Sequence, residues 1–135
     1  MRLLLDTRVL IWFFEGDPRL DTAMRAIIED PGNTKYLSIA SVWEIGIKFG
    51  LGKLSLNRPF AEFLRVDVDP SELVLLPISV EHCVAASILP HHHRDPFDRM
   101  LDAQAAVESP PILSADPTLD AYGVPRLWAW AGPSR

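Results

Sequence analysis

The 135-residue chain has one cysteine, Cys83, so no internal disulfide can form. A lone thiol in an apolar helix usually packs as a small hydrophobe, so Cys83 reads as core filler and the setting as reducing and cytoplasmic. Basic charge is also scarce, with 13 Lys and Arg against 18 Asp and Glu and a formal net charge of -5. That balance counts against broad adhesion to polyanions through a basic face, unless clustered acids hold cations that invert the local field. Long apolar runs are missing too. Leu3 to Leu5 is cut by Asp6 and Arg8, too short to span a bilayer and too interrupted for a signal segment. Neither G-x-x-x-x-G-K-[ST] nor G-x-G-x-x-G occurs, and Gly50-Leu51-Gly52-Lys53 reads as a helix stop rather than a phosphate cradle. Asp6-Thr7-Arg8 lacks the second Asp of an aspartyl-phosphatase D-x-D.

What is present is an ordinary globular composition, 48% hydrophobic and 23% charged, in a length that supports one core. We expect a single domain over residues 1–130 and a frayed tail over 131–135. Arg2 to Leu5 reads as a buried strand and Val9 to Glu15 as a helix stopped by Gly16 and Pro18. A second helix over Leu20 to Asp30 leads to a short strand at Tyr36 to Ser38, and a third helix runs from about Ser41 to Phe49. A weaker helix near Pro59 to Val66 precedes a strand at Leu73 to Leu76, after which Ser79 caps a helix reaching Leu89. Beyond the loop Pro90 to Arg94, Asp95-Pro96 opens the clearest helix of all, continuing to Glu108. Ile112 to Ser114, Pro117 to Tyr122 and Val124 to Trp128 complete the series as strand, short helix and edge strand. Strands alternating with helices give a mainly parallel sheet covered on both faces, an α/β three-layer α/β/α sandwich.

On that architecture four acids fall at one edge. Asp6 ends the first strand, Glu44 lies in the first turn of the third helix, Asp98 in the first turn of the Asp95 helix, and Asp116 just past a later strand. Carboxyl ends of parallel strands form the crevice in which open α/β sheets bind ligands. Taken singly, each acid is as well explained by helix capping: Ser41-Val42-Trp43-Glu44 fits the S-x-x-E box, and Asp6, Asp98 and Asp116 all sit where a helix dipole favours negative charge. Taken together, four carboxylates aimed at one crevice repel one another unless cations occupy it, and an all-oxygen donor set suits Mg²⁺ or Mn²⁺. His91, His92 and His93 read as a solvated loop near substrate, since consecutive histidines point in different directions.

Four blocks, Leu3-Leu4-Leu5-Asp6-Thr7, Ser41-Val42-Trp43-Glu44-Ile45, His93-Arg94-Asp95-Pro96-Phe97-Asp98-Arg99 and Ser114-Ala115-Asp116-Pro117, resemble in order and spacing the signature blocks of PIN-domain proteins of the VapC toxin type. The resemblance implies an endoribonuclease toxin of a bacterial or archaeal type II toxin–antitoxin pair, a homodimer held inactive by its antitoxin. It also implies that Asp6, Glu44, Asp98 and Asp116 form the acidic quartet and that Ser114 supports the metal site. Arg8 stands where close relatives commonly carry His. Asp102 stands where an apolar residue is usual, as an extra acid one turn after Asp98 or as the partner of a nearby cation.

The expected chemistry is phosphodiester hydrolysis assisted by Mg²⁺ or Mn²⁺, with Arg8, Arg94 and Arg99 available to fork onto phosphate oxygens. For Arg99 a surface ion pair is an equal expectation. The rival readings are a PIN-like RNA-binding or protein-interaction module without turnover and a nuclease acting on DNA. Trp12, Phe13 and Phe14 are consecutive, so one helix face cannot bury all three. Either α-helical packing between two layers or a groove for the antitoxin or a second copy accounts for them.

Overall fold

The computed structural model describes residues 1–90 and 95–128. His91, His92, His93, Arg94 and the expected tail therefore lie outside the described residues. The elements are β1 (Arg2–Leu5), α1 (Thr7–Glu15), α2 (Thr22–Glu29), β2 (Thr34–Ser38) and α3 (Ile39–Gly50). There follow α4 (Phe60–Glu62), which runs on as a π-helical segment Phe63–Val68 and a 3₁₀ turn Asp69–Ser71, then β3 (Val74–Leu76) and α5 (Val80–Ile88). The chain closes with α6 (Pro96–Glu108), β4 (Ile112–Leu113), a 3₁₀ helix Pro117–Tyr122 and β5 (Arg126–Leu127). All pairings are parallel, in the order β3-β2-β1-β4-β5. The expected sandwich is observed. No helix among the described residues is long and apolar enough to cross a membrane.

The strands are apolar on both sides because both faces are covered. Leu5 of β1, Leu37 of β2 and Leu113 of β4 join one cluster with Val9 and Leu10 of α1, Met24 and Ile28 of α2, Ile45 of α3 and Phe63. Their neighbours Leu4, Tyr36 and Ile112 join the other, with Leu101 and Ala105 of α6 and Leu119. Adjacent strand residues thus serve opposite cores, as the two-residue period of a strand requires. The chain places β2 and β3 on one side of β1 and β4 and β5 on the other, so the crevice between the carboxyl ends of β1 and β4 is a topological switch point.

Three local expectations change. α3 starts at Ile39, not Ser41, because β2 runs straight into it: Ser38 is the N-cap and its hydroxyl accepts from the Ala40 N–H at 3.0 Å. The Ser41–Glu44 capping box therefore does not form, and Glu44 lies in the second turn. Ser41 is instead fully buried and its hydroxyl pairs with that of Thr7 at 2.8 Å, tying α1 to α3. Cys83 is exposed rather than core filler, because α5 turns His82, not Cys83, toward α6. Finally, Trp12, Phe13 and Phe14 are all partly buried against the first core. Trp12 packs on Trp128 at 6.0 Å, Phe14 on Phe63 at 5.6 Å, and α1 is flanked on two sides, which supports packing between layers.

One glycine is set by a close approach. A Cβ on Gly46 of α3 would lie 2.9 Å from the ring of Phe60, the first residue of α4. Gly46→Ala should therefore destabilise the fold by about 1–3 kcal/mol, in the range of overpacked cores. Urea unfolding should show the loss, and Phe60→Leu in the same chain should recover most of it.

Candidate active site

Asp6 follows the last residue of β1 and occupies the N-cap of α1, yet its side chain makes no capping bond. It accepts instead from the hydroxyl of Ser114 at 2.9 Å, and the Ser114 oxygen in turn accepts from the Asp116 N–H at 3.0 Å. The capping explanation therefore fails for Asp6. For Asp116 it holds, since its carboxylate accepts from the Thr118 N–H at 2.9 Å. On α6 the cap is Asp95, which takes the N–H groups of Phe97 and Asp98 at 2.8 and 3.2 Å, leaving the Asp98 carboxylate with no capping role. The buried Glu44 receives the Lys48 ammonium, one turn on, at one oxygen. Its other oxygen, Oε1, is buried with no hydrogen-bond partner among the described residues.

Asp6, Asp98, Asp102, Ser114 and Asp116 line one small pocket at the β1–β4 crevice, floored by Leu101, Ile112 and Leu119. Arg8, exposed on the first turn of α1, stands at the same pocket. Glu44 does not line it, but its charge reaches both Asp6 and Asp98. Asp102 is completely buried.

The electrostatics follow from this crowding. Burial raises the Asp6 carboxyl and Glu44 raises it further, against the lowering effect of the Ser114 hydroxyl and Arg8. Burial pushes Asp98 up to about 7, helped by Asp95, Asp6 and Glu44. Asp102 rises to about 8, again chiefly by burial and then by Asp98, Asp116 and Asp6. Acids packed this closely hold their protons near neutrality because their charges are neither hydrated nor balanced.

A hard divalent cation fits that donor set. The ligating atoms are all oxygens, one buried carboxylate oxygen lacks a partner, and a cation would remove the repulsion that holds the acids protonated. Among the described residues no group of three acids or histidines already stands in a metal-holding arrangement. Separation of the carboxylates accords with their mutual repulsion.

Two cations depart from expectation or were not foreseen. Arg99 reaches neither a surface acid nor the pocket through its recorded bonds; its guanidinium donates to the carbonyls of Ala86, Leu89 and Pro90, clamping the end of α5. The reason is local: α6 begins beside the last turn of α5, whose carbonyls lack helical partners. Lys48 was legible only as the i+4 partner of Glu44. Arg126 donates to the Ser114 carbonyl at 3.3 Å and pairs with Asp120, bracing β4 from β5, and no motif marks it.

Fold and pocket together define a parallel α/β domain with an acidic centre at its switch point. Residues 3–125 match the family model of the PIN domain, and the chain belongs to that family. Over 62 residues it is 40% identical to Ribonuclease VapC16 of Mycobacterium tuberculosis. That match covers 46% of this chain and 43% of the relative, so it spans less than half of the relative's length. Among solved structures it resembles DNA-bound VapBC from Salmonella typhimurium, with TM-score 0.71, 13% identity, and 95% and 98% of the two chains covered. It also resembles VapBC2 of Rickettsia felis bound to a promoter DNA fragment, with TM-score 0.70, 13% identity and the same coverage. FitAcB of Neisseria gonorrhoeae follows at TM-score 0.63, 20% identity, and 92% and 95% coverage. At these identities the likeness is one of fold.

The raised carboxyls carry a sign that can be checked. Asp98 and Asp102 are protonated in the folded state between pH 4 and their raised values but ionised in the unfolded chain, so stability falls as pH rises through about 4 to 8. In EDTA the melting temperature should decrease from pH 5 to pH 8, and Asp102→Asn should flatten that slope. Excess Mn²⁺ should restore more stability at pH 8 than at pH 5.

Proposed function

We propose that the chain is an Mg²⁺- or Mn²⁺-dependent endoribonuclease, the toxin of a type II toxin–antitoxin pair, working in the cytoplasm as a homodimer. The observation that carries the reading is the convergence of Asp6, Asp98 and Asp116, with Glu44 behind them, on the switch-point crevice of a PIN fold. Family membership and the identity with a named ribonuclease support RNA as substrate; the VapBC complexes among the structural neighbours support an antitoxin partner.

In this reading Asp6, Glu44 and Asp98 hold the principal ion, and Asp116 binds or orients a second. The ion supplies charge that screens the phosphate and lowers the pKa of water. The chain supplies the rest. Ser114 fixes the rotamer of Asp6 and the backbone of Asp116 with one hydroxyl, so two ligands move as a unit. Arg8, exposed at the pocket, forks onto a phosphate oxygen that enters beside the acids. Arg94 is a further candidate for such a contact. Arg99 acts at one remove, by fixing α5 against the start of α6. The groove beside α1, lined by Arg8, Ile11, Trp12, Glu15, Asp17 and Arg19, mixes both charge signs with apolar surface and suits an antitoxin segment.

A second reading has one observation in its favour. Asp102, completely buried behind Asp98, adds negative charge that the site must neutralise, and this suits a module that binds without turnover. Fluorescent RNA incubated with Mn²⁺ and then with EDTA separates the two: cleavage that stops on chelation supports the enzyme, and binding without cleavage supports the module. Matched RNA and DNA hairpins test the substrate class, with cleavage of RNA alone expected.

Asp98→Asn should lower the cleavage rate by more than about 100-fold. Ser114→Ala should lower activity or metal affinity by about 10–100-fold, the range for a group that orients a ligand. Wild-type rates in both variants, measured on freshly purified protein, would overturn the assignment.

A further inference from the structure

Helix α5 is built inside out. Its one buried side chain is His82, at 2% exposure, whose Nδ1 accepts from the Ser79 N–H at 3.0 Å and whose Nε2 pairs with Glu108 at 2.7 Å. Its aliphatic residues face outward: Val80, Val84 and Ile88, at i, i+4 and i+8, are 81%, 57% and 78% exposed. The helix is held to α6 by polar clamps near both ends, His82 to Glu108 and Arg99 to the last carbonyls. Its aliphatic ridge is therefore not used by the fold of one copy.

Beside the ridge is an apolar groove. Ile78, two residues before Val80, joins Ala40 and Trp43 of α3 and Pro96, Phe97 and Met100 of α6 around it. Trp43 is 63% exposed and stands edge-on to Phe97 with ring centroids 5.4 Å apart. Ridge and groove meet at Ile78 and form an apolar surface of the size that marks an interaction site.

We propose that this face is where a second copy of the chain docks as a two-fold pair. The proposal rests on the homodimer reading above for the existence of a pair; its location rests on the exposure pattern alone. Three observations favour a second copy. A convex and a concave element lie on the same face, and a two-fold axis seats each ridge in the other's groove. The ridge and groove residues carry no charge, with Glu81 at the rim, so two copies of net charge -5 meet without opposing like charges. A stable pair needs roughly 800 Å² from each partner, more than either element offers by itself, so both must take part. A nucleic-acid base is less suited to a groove whose lining side chains have no polar group to read its edge.

The test is sedimentation equilibrium of the full chain over a wide concentration range. Wild type should be dimeric, and Val84→Glu and Trp43→Ala should each weaken the pair, Val84→Glu by roughly 100-fold or more. Both side chains are mostly exposed, so far-ultraviolet dichroism and melting of the monomer should be unchanged. Leu51→Glu, at an apolar site 64% exposed on α3's far end, should leave the dimer intact. A wild type monomeric throughout would overturn both the dimer and its face. A dimer that survives Val84→Glu and Trp43→Ala would overturn the face while the dimer stands. Loss of RNA binding in Trp43→Ala with unchanged mass would assign the groove to a base and also overturn the proposal.

Discussion

A single hydroxyl joins the two halves of this fold at the point where they diverge. Ser114 leaves the end of β4 and donates to Asp6 at the end of β1, while its oxygen receives the Asp116 N–H. Because β1 and β4 are neighbours whose outgoing connections turn away from each other, their carboxyl ends splay, and a short side chain can bridge them without filling the crevice. Ser114 is completely buried, and its carbonyl is braced by Arg126 from the next strand. The position of two acids is thus set by sheet registry rather than by loop conformation, which is the precision that a centre of several carboxylates requires.

The same crevice concentrates an electrostatic conflict. Carboxylates from β1, α3, α6 and the segment after β4 are brought together by packing that is otherwise apolar, and burial rather than any one neighbour is the largest cause of the raised Asp6, Asp98 and Asp102 values. Apolar contacts of Leu101, Ile112 and Leu119 beneath the pocket hold the acids where their charges oppose one another. Strain of this kind, carried at a site and offset by the surrounding core, is the usual mark of a place where a ligand completes the structure.

Much of the architecture was legible because it depends on local chemistry. The Asp95-Pro96 start of α6 and the Ser79 cap of α5 appear as read, since both rest on donors and acceptors within four residues. The parallel order follows from alternation of strands and helices, and the grouping of Asp6, Asp98 and Asp116 follows from parallel strands sharing one carboxyl edge. What was not legible depends on direct joins and on partners distant in sequence. The Ser41–Glu44 motif pointed to a cap three residues late because β2 hands over to α3 at Ser38, with no loop between them. Cys83 and the aliphatics of α5 were misleading for a related reason: composition gives a helix's polarity but not which stripe its neighbours claim, and polar clamps claimed the stripe of His82. Arg99 looked like a phosphate ligand until the end of α5 supplied three carbonyls for it.

The pairing of Lys48 with Glu44 makes cation uptake an exchange. One oxygen of this buried carboxylate already holds an ammonium tethered a single helical turn away, and that ammonium also feels Asp95 and Asp98. A mobile ion drawing on the whole carboxylate competes with a counter-ion that cannot diffuse off and whose local concentration never falls. The chain thereby carries its own competitor, as an ion-exchange resin does, and occupancy follows the ambient ion level instead of saturating at traces. An acidic pocket with such a resident ammonium keeps its shape when emptied and can be loaded and unloaded without unfolding.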